Sequence, residues 1–109
     1  MTTVGDCLLA IAAAGERLAD ATVAEMRLED QRALVKDAAI VHLVDTAQEK
    51  SATAAEKVVM KYEPYAAHRQ MQYDAVKARI RARAEYDTAV LNARLTVELG
   101  EALSAGVGR

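Results

Sequence analysis

From Leu8 to Val44 apolar side chains return at intervals near multiples of 3.6 residues: Leu8, Ile11, Leu18, Met26, Leu34, Val41 and Val44. That spacing places them along one stripe of a helix. It predicts a first long helix over about residues 4–46. The stripe weakens around Glu29, Asp30, Lys36 and Asp37. Thr22 with Glu25 three residues on matches a capping box, and Gly15 is a poor interior residue. A break between 15 and 22 is therefore an open alternative, giving a short piece and a long one.

After Val44 the pattern turns polar through "DTAQEKSAT", and "SATAAEKVVMKYEPY" (51–65) follows. Thr53 with Glu56 reads as a helix start. Pro64, the only proline, lacks an N–H, disfavours helical backbone at Glu63, and suits the first position of a helix. These signals predict a short helix at about 54–62, a corner at Glu63, and a second long helix over 64–103 that runs back along the first. The alternative is one long helix kinked at Pro64. The end "SAGVGR" predicts a flexible tail over 104–109.

The second long helix is apolar on two sides. On a wheel of about 100° per residue, Tyr73, Val76, Ile80, Ala84, Leu91 and Leu95 fall together. Ala75, Ala78, Ala82, Tyr86, Ala89 and Ala93 fall opposite. A two-helix hairpin covers only one side. The large-residue stripe is expected to meet the first helix. The small-residue stripe, which permits close approach, is expected to meet another copy of the chain. The plainer reading is that alanine simply favours helix on a wet surface.

Composition narrows the picture. The chain has 109 residues, enough for one small domain, with no Phe or Trp. Small domains are marginal on buried area, so a partner surface is attractive. Between Gly15 and Gly100 the only breaker is Pro64, and no hairpin turn signal occurs. The expected fold is all-α: one domain over 1–103, a coiled-coil-like helical hairpin that forms a homo-oligomer.

Charge adds a second candidate surface. Net charge is -2, which excludes a strongly basic nucleic-acid binder. Yet "HRQMQYDAVKARIRAR" (68–83) carries Arg69, Lys77, Arg79, Arg81 and Arg83 against Asp74 alone, while most acids lie in the first sixty residues. These five cations are candidate phosphate contacts. The plainer reading is a solvated face, or pairing of the acidic first helix with the basic second. The cations do not share one helix face. The tyrosines of this half could stack on bases, although packing is their more ordinary use.

Catalytic and metal chemistry find little support. His42 and His68 have no second ligand at zinc spacing, and Cys7 is alone and distant. His42 and Asp45 lie one turn apart and read as an ordinary helix-surface pair. No nucleophile elbow or phosphate loop is present. Expectations are no enzyme, no cofactor and no metal. One cysteine allows no internal disulfide. "CLLAIAAAG" lacks the preceding positive charge of a signal peptide. No run of about 18 apolar residues exists to cross a membrane. A cytoplasmic location is expected.

The order "AIVHLVDTA", "SATAAEKVVMKYEPY", "AVKARIRARAEYDTAVLNARLTVEL" resembles small all-helical proteins encoded by bacteriophages. In that group a long helix is followed by a T-A-x-E-K start, an acidic-Pro corner and a second long helix rich in Ala and Arg. The resemblance covers roughly residues 30–99, and the chain departs from it in lacking Trp and in its glycine-rich end. Such proteins lie near recombination or replication genes. The resemblance implies an accessory role, with another phage or host protein as partner, in the cytoplasm of a host cell. It carries over no site residue.

Overall fold

A computed structural model describes residues 2–46 and 48–107, with side chains to Leu103. The described chain is all helical, a helical hairpin. Its elements are α1 (Val4–Asp45), α2 (Ala52–Val58), a 3₁₀ turn (Val59–Lys61) and α3 (Glu63–Val107). Gly108, Arg109 and the side chains of 104–107 lie outside the described residues; of the tail expected over 104–109, the backbone of 104–107 instead continues α3.

α1 opens on a reciprocal cap. The Thr3 N–H donates to Asp6 Oδ2 at 3.0 Å, and the Asp6 N–H donates to Thr3 Oγ1 at 3.1 Å. Accepting from that backbone N–H and from the Thr3 side chain, the Asp6 carboxyl sits below its ordinary pKa. The break considered at 15–22 does not occur, since α1 is continuous. Thr22 starts nothing: its hydroxyl donates back to the Leu18 carbonyl at 2.7 Å.

The turnaround differs from the sequence expectation at two points. α2 is capped by Ser51, not Thr53; Ser51 is extended and its Oγ accepts from the Ala54 N–H at 3.2 Å. Glu56, released from capping, lies 3.7 Å from Lys36 Nζ. The corner residue is Tyr62 rather than Glu63, with φ −68° and ψ 120°. Glu63 is already helical, so Pro64 stands inside the first turn, where no N–H is needed. The chain thus turns at Tyr62, one residue before the position that Pro64 itself restricts.

The chain divides into two compact units: residues 23–77, and residues 1–22 with 78–109. The 23–77 unit contains the turnaround and the larger core. Ala39, Val59 and Tyr65 form its centre, with Val35, Ile40 and Tyr62 packed against them. Ala55 and Leu43 are buried as well. Val59 follows Ala55 by four residues, so both reach inward from one side of the turnaround. The ring of His42 stacks on Tyr62, centroids 5.9 Å apart. His68, also buried, donates from Nε2 to the Leu28 carbonyl at 3.0 Å, since a carbonyl can only accept.

The other unit pairs 4–22 with 78–107 in antiparallel fashion. Its seam is small. Cys7, Ala14 and Ala82 are buried, while Ile11, Leu18, Tyr86, Ala89 and Ala93 are half-buried. Cys7, Ile11, Ala14 and Leu18 are spaced four, three and four residues apart, a heptad rhythm. The Cys7 thiol meets Thr96 Oγ1 at 3.5 Å. Arg17 and Glu85 pair across the seam at 3.3 Å, an exposed contact worth little.

Gly15 lies beneath the ring of Tyr86. A Cβ built there would sit 3.5 Å from Tyr86 Cε2, an ordinary van der Waals distance. Alanine therefore fits, and it gains up to about 1 kcal/mol of helix propensity over glycine. Gly15→Ala is expected to raise the thermal midpoint by several degrees, read by circular dichroism. A lowered midpoint would mean that the ring cannot accommodate even a methyl group.

Candidate functional site

The two faces of α3 exchange the roles expected for them. Ala82, with Tyr86, Ala89 and Ala93 partly covered beside it, packs inside the chain. Ala75 is half-buried in the 23–77 unit, and Ala78 is exposed. This small-residue face is therefore largely occupied by the chain itself and is not the free interface. The large-residue face carries the exposure instead. Ile80, Leu91 and Leu95 are each about half exposed, as is Tyr73, and Ala84 is exposed; Val76 is half-buried.

The physical reason lies in α1. Reading α3 alone, one assigns the larger side chains to the intramolecular contact because they bury more apolar area. But α1 presents its own small seam at Cys7 and Ala14, and small meets small where helix axes come close. On α1, Ile11, Leu18 and Val44 of the expected stripe are half-buried. Leu8, Met26, Leu34 and Val41 are exposed. The rotation of each helix follows its alanines, and Leu8, Leu34, Leu91 and Leu95 are left outside.

The basic segment is less available than its sequence suggests. Arg69 donates from Nη2 to the Tyr73 hydroxyl at 2.7 Å, and its guanidinium lies 5.5 Å from that ring's centroid. Hydrogen bonds to Tyr73 and Tyr65 push its pKa above the ordinary arginine value. The groove beside it is lined by Glu25 and Glu29 as well as Arg32 and Gln72, so the two carboxylates offset Arg32 and Arg69 and leave no net positive charge for a phosphate. Arg83 pairs with Asp87 at 3.3 Å. Arg79 is half-buried, and Lys77 and Arg81 are exposed.

One hollow in the 1–22 and 78–109 unit is an open groove of about 590 Å³. Its floor is alanine: Ala10, Ala13, Ala14, Ala84 and Ala89. Its charged groups are already partnered, Arg17 with Glu85 and Asp6 with Thr3. Such a surface can hold another apolar side chain, and the Cys7 thiol that also lines it is buried against Thr96 Oγ1.

Among the described residues no group of three or more His, Cys, Asp or Glu is placed to hold a metal ion. No helix there is long and apolar enough to cross a membrane. What sequence reasoning missed was the Thr3–Asp6 cap, whose T-x-x-D spacing was visible, and the structural use of His68, which no local signal marks. No family model matches the chain, and neither the curated proteins nor the solved structures contain a match to it.

Proposed function

We propose that this chain is a non-enzymatic helical protein that self-associates and serves as an adaptor or assembly factor, of the accessory type that the phage resemblance implies. Protein–protein contact is its activity, with a further phage or host protein as the eventual partner. One observation carries this reading: apolar side chains stand out along both long helices while the inner seams are built from small ones. Leu8, Leu9, Leu34, Met26, Ile80 and Leu99 are each more than half exposed. Scattered surface leucines are ordinary, but rows of them on unpartnered helix faces mark contact surfaces.

A nucleic-acid role has less behind it, because Arg69 is held by Tyr73, Asp87 beside Arg83 offsets its charge, and Arg79 is half-buried. A gel shift with DNA at low salt is the measurement that would revive it.

Light scattering after gel filtration, at tens of micromolar, tests the proposal. A dimer or higher species is expected, and its mass should fall on dilution. A mass of one chain throughout the range would end the reading.

A further inference from the structure

We infer that the exposed face of α3 between Ile80 and Leu99 is an antiparallel dimer seam, occupied by the same face of a second copy, with the two-fold axis passing beside Leu91. The inference rests on the self-association reading above and specifies its surface.

The first observation is periodic. Ile80, Ala84, Thr88, Leu91, Leu95, Leu99 and Ala102 follow one another at spacings of four, four, three, four, four and three. That is an eleven-residue repeat, which keeps one narrow stripe in line along a nearly straight helix. Ile80, Leu91, Leu95 and Leu99 on this stripe are 55%, 50%, 53% and 62% exposed. Ile80, Ala84, Leu91 and Ala102 lie opposite Ala82, Leu95, Thr88 and Leu99 stand to one side of that line, and all seven are exposed.

The second observation is electrostatic and independent of the first. Arg83, Asp87, Arg94 and Glu98 lie within about 60° of one another on one flank of the stripe. Their spacing is four, seven and four, symmetric about the middle of the segment. In an antiparallel pair related by a two-fold axis, each flank faces its own copy, and positions with a constant sum lie opposite. Here 83 and 98 sum to 181, as do 87 and 94. Every one of the four charges then meets an opposite charge: Arg83 meets Glu98 of the other copy, and Asp87 meets Arg94. In a parallel pair this flank would face the other flank, where Arg81, Glu85, Asn92 and Thr96 stand: Glu85 already pairs with Arg17, and nothing there answers Arg94 or Glu98.

The apolar positions agree with the same axis. Leu91 falls beside its own copy. The small Ala84 falls opposite the gap between Leu95 and Leu99, so a hollow receives two large side chains. Complementary charge fixes orientation and partner choice, while the leucines supply the burial.

Two full-length variants test the seam. Asp87→Arg with Glu98→Arg makes the flank all basic, and Arg83→Glu with Arg94→Glu makes it all acidic. All four residues are exposed, so both variants are expected to keep the parent's helical circular dichroism. Each alone should self-associate about tenfold more weakly than the parent, or worse. An equimolar mixture should recover the parent's affinity as a heterodimer. Leu91→Cys in a Cys7→Ala background should form a disulfide-linked dimer on mild oxidation, and Ile80→Cys should not, because its partner position is near 101. If the parent dimerises while both charge variants dimerise equally well, or if Ile80→Cys links as readily as Leu91→Cys, this seam is wrong and self-association stands. If the parent is monomeric throughout, both fall together.

Discussion

Replacing Tyr65 by alanine is expected to cost about 3–5 kcal/mol, the range for truncating a buried aromatic side chain. Tyr65 is the largest fully buried side chain among the described residues, at 2% exposure, and it closes the cluster with Ala39 and Val59. Neither neighbour can move in to fill the space, since Ala39 is small and Val59 is held on a 3₁₀ turn. A loss of this size lowers the thermal midpoint of a domain this small by more than roughly 10 °C. Amide exchange should quicken most over 35–43 and 59–68. Tyr65→Phe, which keeps the ring, should cost much less. Leu34→Ala, at a residue 72% exposed, should cost little. A Tyr65→Ala midpoint within two or three degrees of the parent would show that the cluster does not hold this unit together.

Ala82→Glu is the second large effect. Were the small-residue face a free interface, this change would dissociate a complex and leave the fold alone. In the structure Ala82 is 7% exposed within the chain's own seam. The longer side chain overpacks that seam at about 1–3 kcal/mol, and burying an unpaired carboxylate adds to it. Expected is loss of helical signal and a broadened or absent melt, not merely a smaller assembly. Ala84→Glu provides the contrast, since two residues further on the side chain points to the opposite, exposed side. That variant should keep the parent's helical signal and a cooperative melt, whatever it does to the seam between copies. A well-folded Ala82→Glu protein would return the alanine face to the surface.

These two positions also show how much was readable beforehand. Helix class, the two long elements and the turnaround follow from where glycine and proline are absent, because backbone preference is local. The bounds of α1 and α3 came within a few residues of expectation for the same reason. Ser51 against Thr53 was a choice between neighbouring hydroxyls, decided by the need to turn Ala55 and Val59 inward together. Which face of α3 turns inward was not readable from α3, because the answer depends on what α1 presents. The heptad of Cys7, Ile11, Ala14 and Leu18 was the available signal. It was obscured by Leu8, which is larger than Cys7 and lies next to it. The partners of Arg69 and His68 are similarly set by neighbours that only folding brings near.

Gly15 under Tyr86 has a bearing on alignment that the alanines around it cannot provide. A row of methyl groups looks much the same after sliding by one heptad, so an alanine seam alone would tolerate several nearly equivalent registers. The single aromatic ring breaks that degeneracy. Slipped by seven residues, Tyr86 would come to Leu8 or Thr22 instead of the glycine, and its ring would collide with a side chain in place of bare backbone. The pairing is thus keyed at one notch, and a bulky residue at position 15 would leave the helices intact while freeing them to slide.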